Sequence, residues 1–304
     1  MNPELGSSQN LKGIGLMVIG MVGFAGTDAS GKWLMTNDYS AFQVIAVRGW
    51  MIVVLMTTWI ILTKRTSEIR TSRLGAHGLR GLLAFFGPIL MFTALAELPL
   101  ADVTVIVFGS TFLTTALSVP LFREKVGAHR WSAVILGFIG VLIALRPGTG
   151  VFQPVAILAL LAGVAFSTIN LTARWLKNSE TTLSLTFYTL VGMAALASFA
   201  APFVWQPISW LDLIIFGVMA VFTIIGYLGM TGAFVTAPVG VVAPFEYTVM
   251  LFAIVSGYLI WGDVPDSYVW TGAAIILMSG IYLIQREARA HRLAVNNNNR
   301  FNTD

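Results

Sequence analysis

The sequence predicts an all-α integral membrane protein with ten transmembrane helices in two inverted five-helix repeats. Three observations lead to this fold class. Apolar residues make up 57% of the 304 residues and charged residues only 11%, whereas soluble domains carry about a quarter charged residues. Ten apolar runs are long enough to cross a bilayer. The second half of the chain also repeats features of the first half.

The apolar runs define the predicted helices. About 20 residues cross the hydrocarbon core as a helix, and helices are required because open strands would leave backbone amides unpaired in lipid. In the first half the runs cover residues 11–31, 41–63, 76–96, 101–122 and 130–145. In the second half they cover residues 152–173, 183–205, 211–235, 239–261 and 268–285.

The internal repeat is visible in two stretches of sequence. The segment Phe24–Leu34 reappears 142 positions later as Phe166–Leu176, and both copies contain a cation followed by Trp-Leu. In each copy a polar residue, Asp28 or Asn170, stands four places before the cation. Further matches run at an offset of 139. The chain is therefore interpreted as a duplicated unit of about half its length.

The repeat and the loop charges predict the domains and the orientation. The first repeat covers 1–147, the second covers 148–287, and 288–304 is predicted to be a disordered cytoplasmic tail. Five spans per repeat is an odd number, so the second repeat enters the membrane from the opposite face. Basic residues concentrate in alternate connections, which places both termini in the cytoplasm and the chain in the inner membrane as a multi-pass protein. The net charge of +4 follows from these loops, so no nucleic-acid partner is expected.

Ionisable residues within the apolar runs are candidate binding residues because charges at bilayer depth are costly. Glu246 is the most isolated acid and is predicted to bind a cationic group or exchange a proton, with a purely structural carboxylate as the alternative. Arg48 is predicted to meet a substrate carboxylate, with an internal ion pair to Asp28 as the alternative. Asp28 and its repeat counterpart Asn170 are also predicted substrate contacts.

Aromatic residues near these charges predict an apolar wall. Trp50 is the only tryptophan that falls in the middle of a run. Together with Phe24, Tyr188, Tyr227 and Tyr247 it is predicted to face a cavity suited to a ring or a quaternary ammonium. Packing toward lipid is the alternative for each of them.

Four further residues are predicted to act as hinges or gates. Pro88 and Pro244 interrupt helix hydrogen bonding, which frees a carbonyl four residues earlier, although a kink without a ligand role is the alternative. Lys32 and Arg174 stand at equivalent places in the two repeats and are predicted gate elements at opposite faces. Cations that extend to the membrane interface are the alternative reading of both.

Several classes of function are disfavoured. The chain has no cysteine and only three histidines, so neither a metal site nor a cofactor is predicted. No phosphate-binding loop or hydrolase motif is present, so the chain is not expected to be an enzyme or to use ATP itself. Small residues spaced by four in the fifth run indicate close helix packing, and a homodimer through such a face is left open.

Short motifs add a resemblance to a known family. LPLAD at Leu98–Asp102, PLFRE at Pro120–Glu124 and the second-repeat segment Ala237–Asp263 resemble the drug/metabolite transporter superfamily, specifically its EamA-type members. The resemblance implies a ten-helix bundle with a central cavity that transports small organic solutes. It also places Glu124 where the family's first-repeat acid is expected, while the second repeat has Asp263. Amino acids, S-adenosylmethionine, nucleotide sugars, carboxylates and organic cations are the cargo that the resemblance implies.

Taken with the residues, these features predict a secondary active transporter of a small zwitterionic or cationic metabolite, such as an amino acid or derivative. The expected partners are this small molecule and the lipid bilayer. Proton-coupled efflux of organic cations or drugs is one alternative. A membrane sensor or assembly protein without flux is another, and a flux measurement separates it from a carrier.

Overall fold

A computed structural model describes residues 3–122, 128–146, 153–176, 179–237 and 239–301 of the chain. Within these residues all regular structure is helical, with twelve α-helices and three 3-10 turns. The α-helices are α1 (Pro3–Thr36), α2 (Ala41–Leu62), α3 (Leu74–Glu97), α4 (Leu100–Phe108), α5 (Ser110–Phe122), α6 (Ala128–Leu145), α7 (Ala156–Leu176), α8 (Thr182–Ala200), α9 (Trp210–Thr236), α10 (Val239–Val242), α11 (Thr248–Trp261) and α12 (Ser267–Phe301). The 3-10 turns are Thr66–Ile69, Ala201–Val204 and Ala243–Tyr247.

A helix occupies each predicted apolar run, but the runs differ in how fully they meet the length of a membrane span. In the described residues, seven helical segments are long and apolar enough to cross a bilayer. Three other apolar helices, Trp131–Leu145, Ala156–Thr172 and Ser267–Leu283, are shorter, in the range of 10–17 residues. An integral membrane protein is therefore supported, while the count of ten crossings remains a prediction.

Two of the predicted continuous helices are interrupted, which corrects the sequence-based interpretation. The run 101–122 breaks at Gly109, where α4 ends and α5 begins. The run 239–261 breaks at the 3-10 turn Ala243–Tyr247, between α10 and α11. The repeat offset of 139 pairs Gly109 with Thr248, the first residue after the second break, so the two breaks lie at neighbouring positions of the repeat. Pro244 accounts for the second break, because proline cannot donate within a helix. By contrast, Pro88 lies within the unbroken helix α3.

Helix packing follows the repeat. α1 packs along α9, and α3 packs along α7. In the repeat, α7 is the counterpart of α1 and α9 is the counterpart of α3, so these two contacts are equivalent. α2 packs on its own counterpart α8, and α6 packs on its counterpart α12. This pattern of pairs is what a twofold relation between the two halves would produce. The bundle core therefore contains helices from both halves rather than two separate domains.

Glycines bring the backbones of α1 and α9 together. A methyl group built at Gly20 would lie 2.8 Å from the Met230 amide nitrogen and 3.1 Å from the Gly226 carbonyl oxygen. Only small residues allow helices to approach this closely. Small residues of the fifth run also form a contact within the chain, since Gly140 of α6 packs against Gly272 of α12.

The last helix continues beyond the membrane-length segment to Phe301. The segment predicted to be a disordered tail is therefore helical from 288 to 301 in the structure, while 302–304 lie outside the described residues. The difference has a local origin, since this segment begins with alanine, arginine and leucine, which favour helix, whereas the prediction weighed only its polarity.

Candidate functional site

A central cavity of about 380 Å³ lies between the two halves of the bundle. Helices α1 to α5 contribute to its wall from the first half. The second half contributes α7 to α9, the 3-10 turn Ala243–Tyr247 and α11. Its volume falls in the range of small-molecule binding sites, roughly 300 to 1,000 Å³. The wall is mostly apolar, with methionine and aromatic side chains. Seven residues predicted from the sequence line it: Glu246, Arg48, Asp28, Asn170, Phe24, Tyr227 and Pro88.

Arg48 is a buried cation that donates no hydrogen bond to the described residues. It lies on α2, is only 6% exposed, and its Nε has no acceptor in the described part of the protein. Its guanidinium carbon is 5.5 Å from the centroid of the Phe92 ring, which also lines the cavity. A buried charge without a hydrogen-bonded counterion is costly. The guanidinium is therefore available for an anionic group inside the cavity.

Asp28 lies on α1 in the same region of the cavity. Gly31, one turn after Asp28, packs against the Phe92 ring that also contacts Arg48, but no nitrogen–oxygen contact within 4.0 Å joins Asp28 and Arg48, so the alternative of a direct ion pair is not seen. The neighbouring Thr27 hydroxyl lies 3.1 Å from that of Thr223 on α9. Each threonine hydroxyl also donates to the backbone carbonyl four residues earlier in its own helix, Thr27 at 3.0 Å and Thr223 at 2.8 Å. The wall beside Asp28 is thus fixed by contacts between α1 and α9.

Glu246 stands apart from this pair, in the 3-10 turn that interrupts the ninth run. Gly13 of α1 packs against Val242, which fixes the level of this segment along α1. From Gly13, Asp28 is about 22 Å further along α1 at 1.5 Å per residue. From Val242, Glu246 is about 8 Å further in the same direction at 2.0 Å per residue. Glu246 and Asp28 therefore lie about 14 Å apart along the helix axes.

Three predicted binding residues lie outside the cavity wall. Trp50 is 41% exposed, and its indole N–H donates to the Ser198 hydroxyl at 2.9 Å. The reason is helical phase, since Trp50 follows Arg48 by two residues and points about 200° away from it. Tyr188 packs on the His77 ring at 4.6 Å between centroids. Tyr247 is buried against Phe108, with ring centroids 5.3 Å apart. Pro244, which was predicted as a hinge and not as a binding residue, lies in the 3-10 turn Ala243–Tyr247 with Glu246.

The predicted gate residue Lys32 joins the two halves at one end of the bundle. Its Nζ lies 2.7 Å from Asp263 Oδ2 and 4.8 Å from the centroid of the Trp261 ring. The Lys32 side chain is only 7% exposed. A second ion pair between the halves, Arg146 with Asp266 at 2.6 Å, lies in the same region. The side chain of the other predicted gate residue, Arg174, lies outside the described residues.

Arg80 is a functional candidate that the sequence reasoning missed. It is not among the site residues predicted from the sequence, yet it lies within α3 and is only 7% exposed. Its guanidinium donates to the Thr189 hydroxyl at 2.8 Å, the Ile169 carbonyl at 2.8 Å and the Thr172 hydroxyl at 2.9 Å. Arg80 falls within the predicted apolar run 76–96. Because a charge within such a run is costly, that position is the signal that could have identified it.

A second buried polar cluster lies near the start of α3 and α8. Glu180 accepts hydrogen bonds from the hydroxyls of Thr71 and Ser184, each at 2.7 Å, and its carboxylate is 3.2 Å from His77 Nε2. Burial raises the pKa of Glu180, but these donors outweigh burial and leave its pKa below the ordinary value. The cluster ties the connection before α3 to the start of α8.

Comparison with known proteins identifies relatives over the whole length of the chain. The profile of the EamA-like transporter family matches residues 11–146 and again 153–285. An S-adenosylmethionine uptake transporter of Rickettsia felis is 26% identical over 280 residues, covering 92% of this chain and 95% of the relative. A riboflavin transporter of Vibrio cholerae is 31% identical over 230 residues, covering 74% of this chain and 76% of the relative.

One solved crystal structure has a similar fold. It superposes with a TM-score of 0.62 at 16% sequence identity, and the alignment covers 91% of this chain and 98% of that chain. At this identity the likeness concerns the fold alone.

Proposed function

Because the chain belongs to the EamA-like transporter family, we propose that it is a secondary active transporter of a small zwitterionic or cationic organic metabolite. The family and its relatives point to a transporter of small metabolites and not to an enzyme. The chain has no nucleotide-binding motif, so a gradient or exchange drives the proposed transport. Alternating access through the central cavity is the proposed mechanism.

The observation that carries this proposal is the set of charges in the cavity wall. Arg48 has no hydrogen-bonded partner, and Asp28 and Glu246 accept no hydrogen bond from the described residues. One cation and two carboxylates complement a substrate that carries one carboxylate and one or two positive centres. A neutral or purely anionic substrate would leave at least one buried carboxylate without a counterion.

S-adenosylmethionine is the first substrate to test. It carries a carboxylate, an ammonium and a sulfonium group, and it is named for the Rickettsia felis relative. It is also an amino acid derivative, the substrate class that the sequence favours. Riboflavin, named for the Vibrio cholerae relative, has no such charges and serves as the comparison.

The proposed arrangement has ten crossings of a bacterial inner membrane in two inverted repeats, with both termini on the cytoplasmic side. The pairing of α1 with α9 and of α3 with α7 supports the repeat relation in this arrangement. In this orientation the Lys32–Asp263 ion pair joins the halves at the extracytoplasmic end, and its release would open the cavity to that side. The interrupted helices at Gly109 and Ala243–Tyr247 lie beside the cavity and are the proposed hinges of this motion.

Uptake by proteoliposomes tests the proposal. Purified protein should take up labelled S-adenosylmethionine saturably, and excess unlabelled substrate should compete while riboflavin should not. Arg48→Gln should abolish most uptake, whereas Trp50→Phe, on the same helix but outside the cavity, should retain it. Thermal unfolding of both variants checks that they are folded. Uptake of neither S-adenosylmethionine nor any other amino acid derivative, by protein shown to be folded, would contradict the proposal.

A further inference from the structure

We infer that Arg48 and Asp28 together bind the α-amino-acid head of the substrate, and that Glu246 contacts a different, remote part of it. This inference rests on the proposed function and assigns roles within the same cavity. It also revises the expectation from sequence that Glu246 binds the substrate ammonium while Arg48 binds the carboxylate.

Arg48 has the properties of a carboxylate receptor. Its guanidinium is buried at the cavity wall, its Nε lacks an acceptor, and the Phe92 ring lies against it at 5.5 Å. A planar guanidinium presents paired donors that match the two oxygens of a carboxylate. Since the described residues supply no ion-pair partner to Arg48, a carboxylate in the cavity would be its counterion.

Asp28 is placed to bind the ammonium of the same head group. The ammonium and carboxylate of an α-amino acid are attached to one carbon, so their receptors must lie near each other without touching. Asp28 and Arg48 meet this condition, because both line the cavity beside Phe92, whose ring contacts Arg48 and Gly31, and no nitrogen–oxygen contact within 4.0 Å joins them. Receptors in direct contact would neutralise each other, whereas separated ones leave room for the head group between them.

Glu246 is too far away to share this task. It lies about 14 Å from Asp28 along the helix axes, and no nitrogen–oxygen contact within 4.0 Å joins it to Arg48. The repeat adds a second reason, since the counterpart of Asp28 is the neutral Asn170, which also lines the cavity. The second half therefore offers no equivalent head-group site at this position, and the substrate binds in one orientation with its remote part toward Glu246.

Two ligands that differ only in the carboxylate separate these roles. S-adenosylmethionine and its decarboxylated analogue both keep the ammonium and the sulfonium. Their affinities for purified protein are measured by calorimetry. Arg48→Gln should lower the affinity for S-adenosylmethionine by about 10- to 100-fold, the loss typical of a hydrogen bond between charged groups. It should change affinity for the decarboxylated analogue by less than about threefold.

The other variants serve as matched comparisons. Asp28→Asn should lower the affinities for both ligands by similar factors, because both ligands retain the ammonium. Glu246→Gln should leave the ratio of the two affinities unchanged. If Arg48→Gln does not fold, Arg48→Lys gives the same comparison, since it keeps the charge but loses the paired donors.

The outcomes distinguish this inference from the proposed function. Equal weakening of both ligands by the Arg48 variant would overturn the inference while transport of S-adenosylmethionine still stood. A change in the affinity ratio in Glu246→Gln but not in the Arg48 variant would assign the carboxylate to the other end of the cavity and also overturn it. Binding of neither ligand by folded wild-type protein would instead contradict the proposed function for this substrate.

Discussion

Replacing Gly20 by alanine should separate α1 from α9 and destabilise the protein. The added methyl would lie 2.8 Å from the Met230 nitrogen and 3.1 Å from the Gly226 oxygen, while ordinary contacts begin at 3.4 Å. The helices must therefore move apart by at least 0.6 Å, the difference between 3.4 and 2.8 Å. The contacting atoms are backbone atoms, so no side-chain rotation can relieve the clash. Overpacking of this kind costs about 1 to 3 kcal/mol.

Gly15→Ala is the matched control for this prediction. Gly15 lies on the same helix, is exposed, and has nothing within 4 Å of the position of an added methyl. Both variants gain about 1 kcal/mol of helix propensity, so their difference isolates the clash. Thermal unfolding in detergent should place Gly20→Ala about 3 to 8 °C below Gly15→Ala. Midpoints that agree within about 1 °C would refute the close approach of these two helices.

Three further predictions concern the buried polar contacts. Asp263→Asn leaves the Lys32 ammonium without its counterion and should cost about 1 to 3 kcal/mol, and the charge-exchanged double variant should recover part of this loss in thermal unfolding. Arg80→Gln disrupts three hydrogen bonds and should lower the melting temperature more than Thr189→Val, which removes one of them. Because its donors hold the pKa of Glu180 below the unfolded value, the stability advantage of wild type over Glu180→Gln should be full above about pH 4.5 and shrink as the pH falls. An equal loss in the two Arg80-site variants, or an advantage that grows in acid, would contradict the corresponding contact.

The positions of the helices could be predicted from the sequence because lipid imposes a length and an apolar composition on each span. The interruptions at Gly109 and Ala243–Tyr247 could not, since a single turn does not change the average hydropathy of a long window.

The candidate site was predictable in part. Arg48, Asp28 and Glu246 were identified because a charge within an apolar run is costly without a partner or a cavity. Which face of a helix a residue occupies depends on packing, and the predicted role of Trp50 did not allow for the turn of the helix after Arg48. Arg80 was missed because a cation near a basic loop looks like an interfacial residue until its burial is known.

The two interrupted helices have a consequence for the empty carrier. Next to each break, a residue lines the cavity, Ser110 after the first and Glu246 within the second. Irregular backbone at membrane depth is tolerated only where protein or water satisfies its amides and carbonyls. At the breaks, the Ser110 carbonyl accepts from the Ser167 hydroxyl at 2.8 Å and the Phe245 carbonyl accepts from the Thr248 hydroxyl at 2.7 Å. The Glu246 carboxylate, by contrast, accepts no hydrogen bond from the described residues. Because a carboxylate without a protein donor is satisfied by water, we expect water at that end of the cavity and expect each substrate molecule to displace it on entry.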